Sequence, residues 1–158
     1  MFYVQPRVGR GNQLFRMFKL RSMRHGGQAG PDSTARDDAR ITRVGRIIRA
    51  TSIDELPQLF NILLGHMSFV GPRPHALGST AGDRLFWEVD ERYWRRHATR
   101  PGLTGLAQIK GFRGATDSAR DLTDRLEADL EYLQAWSFWN DMEIIRRTFR
   151  ALTNSDAY

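Results

Sequence analysis

The sequence predicts an α+β fold, a single and mainly helical domain that begins with a β-hairpin. The hairpin is predicted because residues 2–8 and 14–20 alternate apolar and polar side chains around the turn-forming sequence GRGN. Helices are predicted because apolar residues recur at helical spacing in most of the later segments. One domain is predicted because 158 residues with 41% apolar content suffice for one hydrophobic core.

The middle of the chain has two apolar patterns at helical spacing. The first predicts a helix over about 35–49, behind Asp37 and Asp38, and consists of Ile41, Val44, Ile47 and Ile48. The second predicts a helix that stops at Gly65 and consists of Leu56, Leu59, Phe60, Leu63 and Leu64. The sequence VGPRP at 70–74 predicts an extended, stiff turn, because each proline restricts the residue before it.

The last third of the chain predicts three more helices. The first covers residues 83–97, the second is a long helix that contains four leucines, and the third covers residues 140–152. A loop with a short strand, RPGLTGLAQIKGFRG, lies between the first two helices. We expect the leucines of the long helix to pack in the core together with Trp136 and Trp139. A position in a membrane interface stays open for this region, because helices with tryptophan and arginine also lie there. The four leucines are Leu122, Leu126, Leu130 and Leu133.

The composition favours a phosphate-bearing partner. The net charge is +6, and Lys19 and Lys110 are the only lysines among 24 basic residues, so arginine dominates. Its planar guanidinium group binds phosphate through two hydrogen bonds, which suits nucleotides, nucleic acids and anionic membranes, although a bias in genome composition explains the arginines equally well. The chain has no cysteine, so thiolate chemistry is excluded, and no apolar run approaches the roughly 20 residues that span a bilayer.

Asp54 and Glu55 are adjacent acids in the sequence TSIDELPQLFN at 51–61. One interpretation is structural: Ser52 and Glu55 form a capping box, or Asp54 caps the helix and places Pro57 in its first turn, which is the register we prefer. The other interpretation is catalytic. An aspartate can attack phosphorus to form an acyl phosphate, and two carboxylates can hold Mg²⁺ together with substrate phosphates.

Four long segments decide between these interpretations, because they resemble successive conserved blocks of the bacterial sugar transferases, the monotopic polyprenyl-phosphate hexose-1-phosphate transferases. The segments are FYVQPRVGRGNQLFRMFKLRSM, RITRVGRIIRATSIDELPQLFNILLGHMSFVGPRP, RPGLTGLAQIKGFRGATD and LEADLEYLQAWSFWNDMEIIRRTF. The resemblance covers nearly the whole chain. It implies a monotopic phosphoglycosyl transferase-like fold and an enzyme that moves a hexose 1-phosphate from a UDP-sugar to undecaprenyl phosphate, which starts exopolysaccharide or other surface glycan synthesis.

The resemblance also implies roles for single residues. Asp54 matches the nucleophile of the family, Glu55 assists it, and both acids hold Mg²⁺. The residues implied to contact the phosphates or the nucleotide are Lys19, Arg21, Arg73, Arg100 and Gln108. The implied partners are the UDP-sugar, undecaprenyl phosphate and a membrane surface, at the cytoplasmic face of the bacterial inner membrane, with no nucleic acid.

Family members carry an apolar membrane segment ahead of the first block, whereas this sequence begins at that block. We therefore expect a catalytic domain over 1–158 that is truncated at its N-terminus relative to the family. GFRGATD and the ending NSDAY resemble the glucose-type enzymes, so glucose is the expected sugar. Two alternatives remain open: a catalytically silent homologue that acts as a partner in a membrane complex, and a basic nucleic-acid-binding module.

Overall fold

The chain begins with the predicted hairpin, in a computed structural model that describes residues 2–24, 40–112, 116 and 118–153, with side chains to residue 150. Strands β1 (Phe2–Val8) and β2 (Leu14–Leu20) pair antiparallel, from Phe2 opposite Leu20 to Val8 opposite Leu14. A 3₁₀ turn at Arg10–Asn12 connects them. Gly11 and Asn12 adopt left-handed backbone angles in this turn, with φ of 63° and 62°, which explains the choice of glycine and asparagine.

Helices dominate the described residues after the hairpin, so the mainly helical α+β fold is confirmed. Two 3₁₀ segments, Ile53–Glu55 and Glu91–Ala98, accompany them. The α-helices are α1 (Arg43–Ala50), α2 (Gln58–Leu63), α3 (Phe86–Val89), α4 (Leu106–Ile109), α5 (Ala119–Gln134) and α6 (Phe138–Thr153).

Two further small sheets follow the hairpin, and the first of them brings distant segments together. Strand β3 (Ser68–Val70) pairs in parallel with β6 (Gly102–Thr104), whereas β4 (Thr80–Ala81) and β5 (Arg84–Leu85) form a short antiparallel pair. The chain after β3 passes so close to β6 that a Cβ atom on Gly102 would lie 2.1 Å from the Gly71 nitrogen. This contact fixes the start of the segment that carries Arg73.

The core consists of two clusters, and α5 takes part in both. Near the start of α5, Leu122 and Leu126 pack with residues of β4, α3 and the 91–98 segment. Near its end, Tyr132 packs with Val70 and with Ile144 of α6. The expectation that Leu122 and Leu126 are core residues is therefore confirmed, since each is 1% exposed.

Several predicted helix boundaries were wrong. Helix α1 begins at Arg43 rather than near 35, because Ile41 forms a bridge with Met23 and the Thr42 side chain accepts a hydrogen bond of 2.8 Å from the Gly45 nitrogen. Residues 35–39, with both aspartates, lie outside the described residues. The stretch 83–97 is divided among β5, α3 and a 3₁₀ segment, and α4 lies inside the predicted loop.

The tryptophans of the C-terminal region do not pack in the core. Trp136 is 64% exposed and Trp139 is 78% exposed, so the prediction of core positions was wrong. Both lie at the junction of α5 and α6, where Phe138 is exposed as well.

Helix α2 presents its polar side to the protein and its apolar side outward. Gln58 and Asn61 are buried, whereas Leu63 is 83% exposed. The Asn61 side chain accepts from the Phe18 nitrogen at 2.9 Å and donates to the Arg16 carbonyl at 2.7 Å, which attaches α2 to the edge of β2. The exposed apolar residues from α1 to the end of α2 are called here the α1–α2 apolar face: Val44, Ile47, Ile53, Leu56, Leu59, Phe60, Leu63 and Leu64.

No helix within the described residues is both long and apolar enough to cross a membrane.

Candidate active site

The two acids lie in a 3₁₀ turn that precedes α2 and is separate from it. Ser52 adopts a left-handed conformation with φ of 56°, the turn covers Ile53–Glu55, and α2 begins only at Gln58, after Pro57. No side chain caps α2, and Ser52 makes no capping hydrogen bond. Both capping registers considered for the acids are therefore wrong, because the left-handed residue ends α1 and starts an independent turn.

Two cations from distant segments hold Glu55. The Lys19 Nζ of β2 donates to Glu55 Oε1 at 2.9 Å, and the Arg73 Nη2 donates to the same oxygen at 2.5 Å. The other nitrogen of Arg73, Nη1, lies 3.4 Å from Oε2. Burial raises the pKa of Glu55, but Arg73 and Lys19 lower it more strongly, so the net pKa lies well below the ordinary value and the carboxylate is charged.

Asp54 is the free carboxylate of the pair. It is half-buried, and it makes no hydrogen bond or ion pair with any other residue that the structure describes. Burial raises its pKa, an effect that Lys19 opposes and Glu55 reinforces. A carboxylate that is partly dehydrated and unpaired is more available for attack than one held by two cations.

A buried network supports Arg73 from behind. The Arg96 Nη2 donates to the Arg73 carbonyl oxygen at 2.8 Å, and its Nε and Nη2 donate to Asp129 Oδ2 at 2.9 and 2.6 Å. The third guanidinium nitrogen, Nη1, lies 2.7 Å from His75 Nδ1. Burial and the surrounding arginines lower the pKa of His75 well below its ordinary value, so the ring is neutral and can accept this hydrogen bond.

Positive charge exceeds negative charge around the acids. Arg7 and Arg125 also lie in this region, and burial together with neighbouring arginines lowers the pKa of each to about 10. The local cations are Arg7, Lys19, Arg73, Arg96 and Arg125, and the local acids are Asp54, Glu55 and Asp129. Cations that lie close together repel one another, and an anion bound among them relieves this repulsion. Such a cluster is therefore suited to binding a phosphate group.

The structure brings some predicted site residues to the acids and leaves others elsewhere. Lys19 and Arg73 contact Glu55 directly. The Arg21 guanidinium lies 5.8 Å from the centre of the Tyr3 ring. Arg100 lines a groove beyond the end of α2, and Gln108 is buried in α4, where it donates to the Leu103 carbonyl. The proposed contacts of Arg21, Arg100 and Gln108 with substrate remain predictions.

Sequence reasoning missed the buried network. The basic composition of RYWRRHATR at 92–100 indicates a solvated or phosphate-facing surface, but Arg96 is 2% exposed and His97 is 6% exposed. The only signal was spacing, since Tyr93, Arg96 and His97 recur at three and four residues and so share one side of a helical turn. Asp129, the partner of Arg96, is 33 residues away in the sequence, and nothing in the sequence identifies the pairing.

The residues fit a magnesium ion at Asp54 better than at Glu55. Mg²⁺ is commonly held by one or two carboxylates together with substrate phosphates, and the unpaired Asp54 carboxylate suits this role. Glu55 Oε1 is already shared by Lys19 and Arg73. Within the described residues, no group of three or more potential metal ligands occurs, so the phosphates of a substrate would have to complete the coordination.

Comparison with known proteins agrees with the resemblance. The family model described as bacterial sugar transferase matches residues 1–155. A UDP-glucose:undecaprenyl-phosphate glucose-1-phosphate transferase of Caulobacter vibrioides is 49% identical over 98% of this chain and 57% of its own length. An undecaprenyl-phosphate glucose phosphotransferase of Komagataeibacter xylinus is 50% identical over 95% of this chain and 29% of its own. The exopolysaccharide production protein PSS of Rhizobium leguminosarum is 47% identical over 92% and 74%.

Proposed function

Because the chain belongs to the bacterial sugar transferase family, we propose that it transfers a hexose 1-phosphate, with glucose as the sugar, from a UDP-sugar to undecaprenyl phosphate. The observation that carries the proposal is the unequal state of the two acids: Glu55 is held by two cations, whereas Asp54 is free. The printed names of the Caulobacter and Komagataeibacter relatives support glucose. GFRGATD and NSDAY lie largely outside the described residues.

In the first step, a carboxylate oxygen of Asp54 attacks the phosphorus that bears the sugar. A bond forms between Asp54 and this phosphorus, the bond from phosphorus to the bridging oxygen breaks, and UMP leaves with the electron pair. We expect Lys19 and Arg73, which both contact Glu55, to donate to the phosphate oxygens as charge develops, and Glu55 to orient the two cations for this role.

In the second step, a phosphate oxygen of undecaprenyl phosphate attacks the same phosphorus. The bond to Asp54 breaks, the diphosphate-linked sugar is released on the lipid, and the free carboxylate returns. Asp54, with the donor phosphates, would hold Mg²⁺, whose charge would neutralise the diphosphate. The neutral His75 and the Arg96–Asp129 pair take no part in bond making. Arg96 contacts the backbone of Arg73 from the buried side, and His75 and Asp129 contact Arg96.

The lipid acceptor requires access from a membrane surface, and the α1–α2 apolar face supports such access. This face includes Ile53 and Leu56, which flank the acid pair in the sequence and are 42% and 54% exposed. Large apolar side chains exposed together in this way are typical of interaction surfaces. We propose that the face lies on the cytoplasmic surface of the bacterial inner membrane.

The test is the intact mass of the protein after incubation with UDP-glucose and Mg²⁺ without a lipid acceptor. The wild type should gain the mass of one hexose phosphate, and Asp54→Asn should gain none. Asparagine has nearly the same shape as aspartate but lacks its charge and its nucleophilic oxygen. Asp54 makes no capping hydrogen bond whose loss would disturb the fold. The Asp54→Asn variant should therefore unfold at the same temperature as the wild type.

Two results would contradict the proposal. A hexose-phosphate adduct on Asp54→Asn would place the nucleophile elsewhere. No adduct on the wild type with UDP-glucose, UDP-galactose or UDP-N-acetylgalactosamine would favour the silent homologue instead. Tight, salt-sensitive binding of DNA without binding of any UDP-sugar would favour the nucleic-acid-binding module.

A further inference from the structure

A groove of about 730 Å³ lies between the hairpin turn and the end of α2, apart from the acid pair. The acids precede α2, whereas the groove is lined by Gly65 and His66, which follow it. The groove is also lined by Phe15 and Arg16 of β2 and by Arg100. No role proposed above for the acid pair uses this groove.

The groove is cationic. Three arginines line it, Arg10, Arg16 and Arg100, and all three are exposed. None of its lining residues is acidic. None of the three guanidinium groups makes a hydrogen bond or ion pair with another residue in the described parts of the chain. Exposed arginines elsewhere do find partners, as Arg92 does with Asp90 and Arg146 with Glu143.

The groove adjoins exposed apolar side chains. Leu63 and Leu64, which are 83% and 61% exposed, directly precede Gly65 at the edge of the groove. Leu14, on the hairpin side, lines the groove and is 58% exposed. Arginine side chains that can bind phosphate therefore lie next to apolar side chains that can enter a membrane interface.

We propose that this groove binds the phosphate headgroup of an anionic phospholipid while the neighbouring end of the α1–α2 apolar face enters the membrane interface. The inference rests on the membrane docking included in the proposed function. Guanidinium groups bind phosphate through paired, charge-assisted hydrogen bonds, and anionic leaflets attract basic side chains at their surface. A nucleotide fits the observations less well, because small-molecule sites enclose most of their ligand, whereas these arginines stand exposed at the rim.

Vesicle co-sedimentation at fixed ionic strength tests the proposal. Wild-type protein, Arg16→Gln/Arg100→Gln and the control Arg95→Gln/Arg120→Gln are compared on vesicles of phosphatidylcholine alone and with added phosphatidylglycerol. Both double variants remove the same charge, but the control arginines are exposed and lie outside the groove. We expect the groove variant to bind the anionic vesicles about 25-fold more weakly, fivefold for each arginine, and the neutral vesicles unchanged. The control should stay within a few-fold of the wild type.

The inference is overturned if the control loses as much binding as the groove variant, since net charge alone would then explain the preference. It is also overturned if the wild type shows no preference for the anionic vesicles, or if UMP in solution shifts the NMR signals of Arg16 and His66 and abolishes that preference. The mass adduct is measured without vesicles, so its absence counts against the proposed chemistry alone. Vesicle binding without anionic preference counts against the groove alone.

Discussion

The Arg73–Glu55 and Arg96–Asp129 pairs are made of the same chemical groups in different surroundings. The side chains of the first are 34% and 17% exposed, and those of the second are 1% and 3% exposed. An accessible pair can exchange its carboxylate for a substrate phosphate, whereas an enclosed pair cannot reorganise without losing charge compensation. We therefore propose that Arg73 contacts substrate, whereas Arg96 supports the backbone of Arg73 through a hydrogen bond to its carbonyl oxygen.

Breaking the enclosed pair should have the largest effect on stability. Asp129→Ala leaves the Arg96 guanidinium buried without its carboxylate, and we expect a loss of about 3–5 kcal/mol in the free energy of unfolding, measured by urea denaturation. Asp129→Asn, which keeps an acceptor oxygen for Arg96, should lose less. Equal losses in the two variants would contradict the charge argument and indicate a simple packing role.

The buried network also positions Arg73, because Arg96 donates a hydrogen bond to the Arg73 carbonyl oxygen. If Asp129→Asn remains folded, the rate of adduct formation should fall more than the affinity for UDP-sugar, because Arg73 would be present but badly placed. A change in affinity alone would argue against this positioning role.

Acid should act on the buried histidines His75 and His97 at a higher pH than on Glu55. Burial and Arg96 lower the pKa of His97 from 6.5 to about 4, and the pKa of His75 is lowered as well. The unfolded chain therefore binds protons near pH 6.5 that the folded chain does not, so the free energy of unfolding falls as pH decreases from 6.5 to 4. We expect His97 alone to account for up to about 3 kcal/mol.

Glu55 responds in a different pH range. Its pKa lies below the ordinary 4.5, so the stability it contributes is complete above that pH and is lost only as pH falls further. Urea denaturation at several pH values should show a slope between pH 6.5 and about 5.5 that His97→Gln reduces and Glu55→Gln leaves unchanged. A slope that Glu55→Gln reduces in this range would reverse the assignment.

The accessible pair should matter more for rate than for stability. Glu55→Gln removes the charge that opposes Lys19 and Arg73, whose side chains are 20% and 34% exposed, so we expect a smaller loss in the free energy of unfolding than for Asp129→Ala. Adduct formation should fall strongly, because the two cations lose the carboxylate that orients them. Thermal unfolding and the time course of adduct mass measure the two effects on the same sample. A normal rate would show that Glu55 is dispensable.

These two regions differ in how far the sequence predicts them. The adjacent acids, Lys19 and Arg73 were identified as site residues because they lie inside the segments that resemble the family, and the alternation around GRGN predicted the hairpin to the residue. Arg96 and Asp129 are 33 residues apart in the sequence and meet through tertiary packing, so no local pattern predicts the pair. The periodicity of α2 was detected correctly, but its apolar side is exposed, because Asn61 uses its amide to pair with the β2 edge. Periodicity identifies a helix face and does not state which surroundings that face meets.

The smallest effect on stability is expected for a surface ion pair, which serves as a reference for the two more buried pairs. On α6, Glu143 accepts from Arg146 at 2.6 Å and from Arg147 at 2.8 Å, at the helical spacings of three and four residues. The geometry is as close as that of Arg96 with Asp129, but these side chains are 37–58% exposed, so water and salt replace the interaction readily. Glu143→Gln should change the free energy of unfolding far less than Asp129→Ala does and leave adduct formation unchanged. A loss comparable with that of Asp129→Ala would show that geometry rather than burial determines the strength of these pairs.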